Sequence, residues 1–254
     1  MTYKEKIRSL AEYLKKPGRN FAFTGAGVST ESGIPDFRSR GTGLWDRIDP
    51  MKAASLSALR RDPAEFYKFF MDIWASFTSA KPNAAHNVLA RLEEEGLLAG
   101  VITQNIDGLH RAAGSQKVWE VHGHMRTCRC LACSELHPFA ALLNQYLSGT
   151  NPPRCSECGG VLRPDVVLFE DTMGEEFFNA YQVLSGCQLL LVVGSSLQVY
   201  PAASLPELAK RLVIINREPT PWDSRAELVI NEKMAGQVLT DLMMVLGLDF
   251  GRRP

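Results

Sequence analysis

The chain has 254 residues, of which 45% are apolar and 22% charged, and its 28 basic and 28 acidic side chains give a formal net charge of zero. This composition is that of a globular protein and excludes collagen, coiled coils and wholesale disorder. The neutral balance argues against a general electrostatic binder of nucleic acid, so we expect no specific nucleic-acid partner. No apolar run reaches the ~18 residues of a membrane span, and the polar N-terminus has no secretory pattern. We therefore expect a cytoplasmic protein with no membrane partner.

Apolar segments that indicate strands alternate along the chain with amphipathic segments that indicate helices. The strand segments are residues 21–23, 101–103, 118–121, 189–193, 212–215 and 228–230. Continuous apolar strands separated by helices are typical of a parallel sheet covered by helices on both faces. Several of these strands end in small or polar residues, and ligands of open α/β sheets bind at such carboxyl ends. The pattern therefore predicts an α/β fold with its site at that edge.

Two stretches interrupt the alternation of strands and helices. Residues 39–84 have a helical pattern with an apolar stripe from Phe66 to Trp74, and residues 127–160 hold five of the six cysteines. We predict that these two insertions form a small domain. The large domain would then consist of residues 1–38, 85–126 and 161–254.

Four cysteines form two C-x-x-C pairs, Cys130 with Cys133 and Cys155 with Cys158. In a chain that is not secreted this spacing favours metal over disulfides, and four thiolates suit a closed tetrahedral Zn²⁺ site. Because the protein fills all four positions, we expect one zinc ion with a structural role. Cys128 lies beside the first pair and could compete for the metal or be an exposed thiol. Cys187 precedes a buried strand and reads as a core residue.

A glycine turn, Gly25-Ala26-Gly27, follows the first strand. It matches the start of the dinucleotide-binding pattern, in which glycines let backbone N–H groups approach a diphosphate closely, but Thr30 replaces the third glycine. The segment that continues to Phe37 and Arg38 is dense in glycine, proline and charge, which favours a loop that folds over a bound ligand. A nicotinamide-dependent dehydrogenase is an alternative, although it would require the third glycine and an acidic residue ~20 positions further on.

The chain resembles the sirtuins, which are NAD-dependent protein-lysine deacylases. The motifs that carry the resemblance occur in the sirtuin order and span nearly the whole chain. They are Gly25 to Ser29, Gly33-Ile34-Pro35-Asp36-Phe37-Arg38, Thr103 to Asp107, His122-Gly123, the paired C-x-x-C, and Gly194-Ser195-Ser196-Leu197. The resemblance implies a Rossmann-like large domain, a small domain with a zinc module and a helical insertion, NAD as co-substrate, and acyl-lysine proteins as partners.

The resemblance also implies a reaction. The acyl carbonyl oxygen attacks C1′ of the nicotinamide ribose and nicotinamide leaves; a ribose hydroxyl and water then complete the transfer, which yields free lysine and O-acyl-ADP-ribose. By this resemblance His122 is the general base, a role that suits imidazole because its pKa lies near neutral pH. Asp107 and the Ile106 backbone would hold the nicotinamide carboxamide, and Asn105 and Gln104 would face ribose hydroxyls and an ordered water.

The remaining cofactor-binding positions follow from the same resemblance. Phe37 would cover the nicotinamide site and Arg38 would brace the loop or a phosphate. The adenosine half would lie near later strand ends. The residues expected there are Gly194, Ser195, Ser196, Asn216 and Met234.

The acyl-lysine substrate would lie between two segments. The Val167 backbone would hold the lysine amide, Phe169 would line the tunnel, and Val199 would belong to the opposite wall, so that the peptide adds backbone hydrogen bonds on both sides. The family's Phe-Gly-Glu reads Phe169-Glu170-Asp171 here. This change puts a negative charge at the peptide edge and favours basic flanking residues.

The acyl preference follows from one helix of the small domain. Sirtuins that remove succinyl or malonyl groups carry a Tyr-x-x-Arg pair there, whereas this chain has Tyr67 and, at the arginine position, Phe70. An acidic acyl group would be buried without a cation, at a cost of several kcal/mol. We therefore expect a deacetylase that accepts apolar acyl groups and discriminates against succinyl-lysine.

Two further functions are alternatives. A mono-ADP-ribosyltransferase could use the same scaffold and the same NAD. A nucleic-acid-binding zinc ribbon is a candidate from another class, because arginines lie near the cysteines, at positions Arg126, Arg129, Arg154 and Arg163. The neutral overall charge argues against this second alternative.

Overall fold

The computed structural model describes residues 1–36 and 49–249. Its centre is a six-stranded, wholly parallel sheet with the strand order β3-β2-β1-β7-β8-β9. The six strands are β1 (Asn20–Thr24), β2 (Val101–Thr103), β3 (Val118–Glu120), β7 (Leu189–Val193), β8 (Arg211–Ile215) and β9 (Leu228–Ile230). The predicted α/β class and the predicted parallel sheet are confirmed.

Helices cover both faces of this sheet because its central strands are apolar throughout. Every residue of β1 and β7 is buried. Alternate side chains of these strands pack on one face against α1 (Tyr3–Lys15), α5 (Ala84–Glu94) and α9 (Ala235–Leu246). The other alternate side chains pack against α8 (Glu175–Leu184) and the 3₁₀ helix Ala202–Leu208. The period-2 pleat of the strands thus divides the large domain into two cores.

A second, antiparallel sheet has the order β5-β4-β6 and packs with the helical insertion. Its strands are β4 (Gly123–Cys130), β5 (Leu136–Pro138) and β6 (Leu162–Val166). The helices that accompany it are α2 (Pro50–Ala53), α3 (Leu56–Arg61), α4 (Pro63–Phe77) and α7 (Phe139–Leu147). The short helix α6 (Leu109–Ala112) follows β2 of the large sheet. One apolar core joins α4 to β4 and α7.

The shared core fits the expectation that the two insertions pack together, although the division into domains stays a prediction. β4 crosses the predicted boundary at 126/127. β6 begins at Leu162, on the large-domain side of the predicted boundary at 160/161, yet it pairs with β4 in the small sheet. In the parts of the chain that the structure covers, no helix has the length and apolar character needed to cross a membrane.

The strand order reverses beside β1, which pairs with β2 on one side and with β7 on the other. Such a switch point opens a crevice at the carboxyl ends of parallel strands. The chain segments that leave β1, β2, β3 and β7 converge on this crevice. They are the segments that the sequence marks as functional.

Candidate active site

Two glycine turns pack directly against each other at the switch point. The Gly27 amide donates to the Gly194 carbonyl at 2.8 Å, and a Cβ on Gly27 would lie 2.9 Å from the Gly194 Cα. Gly194 has φ +61°, and a Cβ there would lie 2.3 Å from the Val28 nitrogen. The close approach that demands glycine in this structure is therefore between the turns after β1 and β7.

Three polar side chains form a hydrogen-bonded group above these turns. The Ser29 hydroxyl donates to Asp107 Oδ2 at 2.7 Å, and Asn105 Nδ2 donates to the Ser29 hydroxyl at 3.0 Å and to the Gly25 carbonyl at 3.2 Å. Asp107 Oδ1 accepts from the Leu109 amide at 2.9 Å, so it also begins helix α6. An amide, a hydroxyl and a carboxylate are thus held in fixed orientation at the carboxyl end of β2.

Burial dominates the protonation of Asp107. Desolvation raises the pKa of this carboxyl above its ordinary value, while the Leu109 amide and the Ser29 hydroxyl oppose the rise by bonding to the charged form. Asp107 is therefore a desolvated carboxyl group whose oxygens still accept hydrogen bonds. Such a carboxylate interacts strongly with a donor or a positive charge placed beside it.

His122 follows β3 and points to the same crevice. Its Nδ1 lies 3.1 Å from the Gln104 carbonyl oxygen, and because a carbonyl can only accept, Nδ1 donates in this contact and Nε2 is the basic nitrogen of the neutral ring. The His122 carbonyl accepts from the Val167 amide at 2.8 Å. Gly123 has φ +79°, and a Cβ there would lie 2.2 Å from the Asp165 carbonyl. Glycine after His122 is thus required for the chain to turn from β3 into β4.

A cavity of about 240 Å³ connects these groups to the small domain. One end is polar, with Gln104, Asn105, Asp107 and His122, and the other is apolar. The apolar lining includes Phe70, Ile73, Trp74, Phe77, Ile106, Val166, Leu168 and Met173. Neither lysine nor arginine lines it within the described residues.

The predicted substrate segment forms one wall of this cavity. Val167 is bound to His122, whereas the Phe169 amide donates to the Ala54 carbonyl at 3.0 Å and its carbonyl accepts from the Leu56 amide at 3.0 Å. Residues 167–169 are therefore tied alternately to the large domain and to the helical insertion. Both Val167 and Phe169 line the cavity, as does Val199 across from them.

One predicted substrate residue lies elsewhere, which corrects the expectation. Tyr67 does not line the cavity; its ring is completely buried and its hydroxyl donates to the Leu162 carbonyl. Tyr67 and Phe70 are three positions apart on α4, yet Tyr67 points into the core of the small domain and Phe70 into the cavity. Tyr67 thus packs in the small domain and is not part of the cavity lining.

The predicted cofactor-binding residues divide into two sets. Ala26, Gln104, Asn105, Ile106, Asp107 and His122 line the cavity. The others lie along the strand ends beside it: Gly25, Gly27, Thr30, Gly194, Ser195, Ser196, Asn216 and Met234. Gln104 Nε2 joins the sets by donating to the Ser195 hydroxyl at 2.7 Å. Phe37 and Arg38 fall outside the described residues.

Several of the remaining site residues are not among the predicted ones. Ser29 belongs to the glycine motif, but the sequence does not reveal its hydrogen bond to Asp107, which lies 78 positions further along the chain. His86 lies behind it, with Nε2 3.4 Å from the Ser29 hydroxyl, and burial lowers the pKa of His86 to about 4. Ile73 and Trp74 belong to the predicted apolar stripe, which does not reveal that part of it faces a cavity, and Phe77 lies beyond that stripe.

The four predicted cysteines converge in the small domain, with all four sulfurs within 4.8 Å of one another. The Sγ–Sγ distances are 3.4 Å from Cys130 to Cys158, 3.4 Å from Cys133 to Cys158 and 3.8 Å from Cys133 to Cys155. Sulfurs at 2.3 Å from a tetrahedral zinc are about 3.8 Å apart, whereas disulfide sulfurs are about 2 Å apart. The cluster therefore fits a structural zinc ion.

Cys128 does not belong to this cluster. It is completely buried, and its Sγ faces the carbonyl oxygens of His137 and Pro138 at 3.5 and 3.7 Å. Cys128 is therefore neither a member of the four-cysteine cluster nor an exposed thiol, so both alternatives predicted for it are wrong. Cys187 is buried in the core of the large domain, as expected.

Comparisons with known proteins agree with this geometry. The family model of the Sir2 family matches residues 25–201. The chain is 48% identical over 233 residues to NAD-dependent protein deacetylase 2 of Caldanaerobacter subterraneus, covering 92% of this chain and 93% of the relative. It is 42% identical to NAD-dependent protein deacylase 2 of Archaeoglobus fulgidus, covering 94% and 95% of the two chains.

Solved structures give the same result. A structure from work on the mechanism and regulation of Sir2 enzymes superposes with a TM-score of 0.89 at 40% identity, covering 96% of this chain and 98% of the other. A Sir2 structure with a p53 peptide and NAD⁺ superposes with a TM-score of 0.86 at 35% identity, covering 95% and 99%. The chain therefore belongs to the Sir2 family, the sirtuins.

Proposed function

We propose that this protein removes acyl groups, chiefly acetyl, from protein lysines in an NAD-dependent reaction that yields nicotinamide and O-acyl-ADP-ribose. The observation that carries the proposal is the cavity itself. It joins a polar end, where Asn105, Asp107 and His122 converge, to an apolar end of a size that accommodates a lysine side chain and its acyl group. Relatives in the family are NAD-dependent deacetylases and deacylases.

The polar end fits the nicotinamide riboside half of NAD, which supplies the electrophilic sugar carbon. Asp107 is desolvated yet keeps acceptor oxygens, so it suits the carboxamide N–H₂ and the positive charge that develops on the sugar. Asn105 and Gln104 present neutral amides suited to hydroxyl groups. The turns at Gly27 and Gly194, whose backbones approach each other, form the floor on which the rest of the dinucleotide would lie.

His122 is proposed as the general base. Its Nδ1 contact with the Gln104 carbonyl fixes the tautomer, so that Nε2 is the basic nitrogen, the atom that would accept a proton from a sugar hydroxyl. The Val167 contact with the His122 carbonyl connects this base to the substrate segment. Substrate binding along residues 167–169 and positioning of the base therefore use the same short stretch of backbone.

The apolar end determines the acyl group. Phe70 stacks on Trp74 with ring centroids 4.9 Å apart and planes 14° apart, which gives a flat aromatic wall. An acetyl group or a longer apolar chain would pack on it, and a carboxylate would find no cation among the described lining residues.

The nucleic-acid alternative has little support from the arginines that raised it. Arg126 is paired with Glu120 at 2.5 Å, Arg129 with Asp165, and Arg163 with Asp171 at 2.6 Å. The charges of these three arginines are thus largely compensated within the protein, whereas Arg154 forms no ion pair among the described residues. That acyl-lysine proteins are the partners, that nucleic acid is not one, and that the protein acts in the cytoplasm stay predictions.

Replacing His122 with alanine tests the proposed role of the base. Because this side chain is only half-buried and lines the cavity, we expect His122→Ala to fold normally and to lose deacetylation by at least 10²-fold. The measurement is release of deacetylated peptide, with circular dichroism as the check on folding. His124→Ala, a neighbouring histidine outside the cavity, is the matched control. A folded His122→Ala protein with full activity would remove His122 from the mechanism.

A further inference from the structure

The cavity opens to solvent beside Glu170 and Tyr200, two exposed residues of its lining. Most lining residues are buried or half-buried, and the other exposed ones are Pro35 and Pro201, which carry no charge. Tyr200 has 66% of its surface accessible. The two side chains therefore belong to the mouth, where the backbone of a protein substrate remains while its acylated lysine enters the cavity.

The Glu170 side chain is held in place at this mouth. Its backbone has φ +74°, in the left-handed region that favours glycine. Its Oε2 accepts from the Ser57 amide at 2.8 Å and its Oε1 from the Ser57 hydroxyl at 2.9 Å. Both donors are neutral, so they fix the carboxylate in position without placing a positive charge beside it.

No cation compensates this charge in the parts of the chain that the structure describes. Glu170 forms no ion pair there, and no lysine or arginine lines the cavity. The adjacent Asp171 differs, because Arg163 binds both of its oxygens at 2.6 and 3.1 Å. Of these two neighbouring acids, Glu170 presents its charge to the solvent at the mouth.

We infer that Glu170 is a specificity-determining residue that selects substrates with lysine or arginine close to the acylated lysine. This inference rests on the proposed function and names a class of substrate for it. In an extended peptide successive residues are about 3.3 Å apart, so side chains two positions from the acyl-lysine lie about 7 Å away along the mouth. A long basic side chain spans that distance, and the exposed Tyr200 ring, which also lines the cavity, offers it an aromatic face.

The test compares three acetyl-lysine peptides that differ in the two residues on each side of the acetyl-lysine. These residues are arginine, glutamine or glutamate, and kcat/KM is measured with saturating NAD. We expect wild-type protein to prefer the arginine peptide over the glutamine peptide by about three- to fivefold, the size of an exposed charge pair. The glutamate peptide should be the poorest. The preference should vanish in 1 M salt, where the screening length is about 3 Å.

Two variants separate the charge from the position of the side chain. Glu170→Gln removes the charge and keeps an acceptor for Ser57, so the ratio between arginine and glutamine peptides should fall to about one. Ser57→Ala keeps the charge and removes one of its two donors, so the preference should persist. Glu12→Gln, an exposed acid on α1, is the control for a change of net charge and should leave the ratio as in wild type.

The inference is overturned by a wild-type enzyme without preference for basic flanks, or by a Glu170→Gln protein that keeps the preference. Failure of the proposed function is a different result, because no peptide, the glutamine peptide included, would then be deacetylated in the presence of NAD.

Discussion

Two opposing effects act on the pKa of the Asp107 carboxyl group. Burial raises its pKa, and the Leu109 amide and the Ser29 hydroxyl counteract that rise. A folded-state pKa above the unfolded value means that the native state binds the proton more tightly. The charged form therefore lowers the stability of the fold as the pH rises above the ordinary value of 3.8. The protein tolerates this destabilisation at a residue that we place beside the cofactor.

We predict that Asp107→Asn separates activity from stability. Deacetylation should fall by at least 10²-fold, because an amide cannot stabilise positive charge on the sugar. The stability of the variant relative to wild type should increase as the pH rises above 3.8, since the variant has no buried charge to desolvate. Thermal unfolding from pH 3.5 to 8 measures this trend. A variant that becomes progressively less stable than wild type over that range would contradict it.

Single residues also show what the sequence could and could not predict. The His122-Gly123 pair was identified from the motif, and the clash of a Cβ at position 123 explains why glycine follows the histidine. Ser29 could not be singled out, because its role depends on a contact with Asp107 across the sheet. Glu170 was identified as a departure from the family, but its hydrogen bonds to Ser57 on helix α3 could not be predicted from the sequence.

At the scale of elements, α4 serves two environments at once. Its large apolar residues all pack in the core of the small domain, and four of them, Phe70, Ile73, Trp74 and Phe77, also line the cavity. These cavity residues are spaced by three, one and three positions, which places them on one helix face. The amphipathic stripe predicted the helix, but a period of 3.6 residues does not distinguish a core from a ligand cavity.

The acyl preference tests this face of α4. We expect kcat/KM for succinyl-lysine to be at least tenfold below that for acetyl-lysine, because the carboxylate would be buried without a cation. Phe70→Arg should narrow this gap, since a guanidinium can bind a carboxylate and still stack on Trp74. Phe70→Leu, which stays apolar, is the matched control and should leave the gap open. Succinyl-lysine equal to acetyl-lysine in the wild type would disprove the assignment.

The zinc module is a second element with a distinct prediction. We expect one zinc ion per chain, and we expect chelation to lower the melting temperature and, indirectly, the activity, because the small sheet would lose its cross-link. Cys133→Ser should lose the metal. Cys128→Ala should retain one zinc, since this thiol is buried outside the cluster. Metal analysis by mass spectrometry decides this, and active protein purified without zinc would refute it.

Strand boundaries were less predictable than strand identity. β6 ends at Val166 although the apolar run continues to Phe169, because residues 167–169 bond alternately to His122 and Ala54 and so leave the sheet ladder. Likewise, residues 197–200 form no strand. Where the backbone is shared between two domains, apolar sequence alone does not determine its pairing.

Across the whole molecule, two buried histidines couple the site to the stability of the fold. His86 and His110 lie with ring centroids 4.8 Å apart behind the polar end of the cavity. Burial lowers the pKa of His86 to about 4. It also lowers the pKa of His110 well below 6.5, with the neighbouring His86 adding to the effect. Both rings are therefore neutral in the folded protein at neutral pH.

The pH dependence follows from the direction of these shifts. Between pH 6.5 and 4 the unfolded chain binds protons that the folded His86 refuses, so the free energy of unfolding should fall as the pH is lowered through this window. The lowering of the His86 pKa from 6.5 to about 4 corresponds to about 3 kcal/mol. Denaturant unfolding at pH 7, 5.5 and 4.5 measures the loss, and His86→Gln should reduce the slope. Stability independent of pH over this range would show that neither ring resists protonation.

The central claim is that NAD is consumed to take an acyl group from lysine, and one measurement tests it most directly. Acetyl-lysine peptide, NAD and the purified protein are incubated together, and all products are identified by mass spectrometry. The account predicts deacetylated peptide, nicotinamide and O-acetyl-ADP-ribose in equal amounts, with none of the three when NAD is omitted. Peptide or protein that gains ADP-ribose while the acetyl group stays on lysine, or NADH as the product, would contradict it.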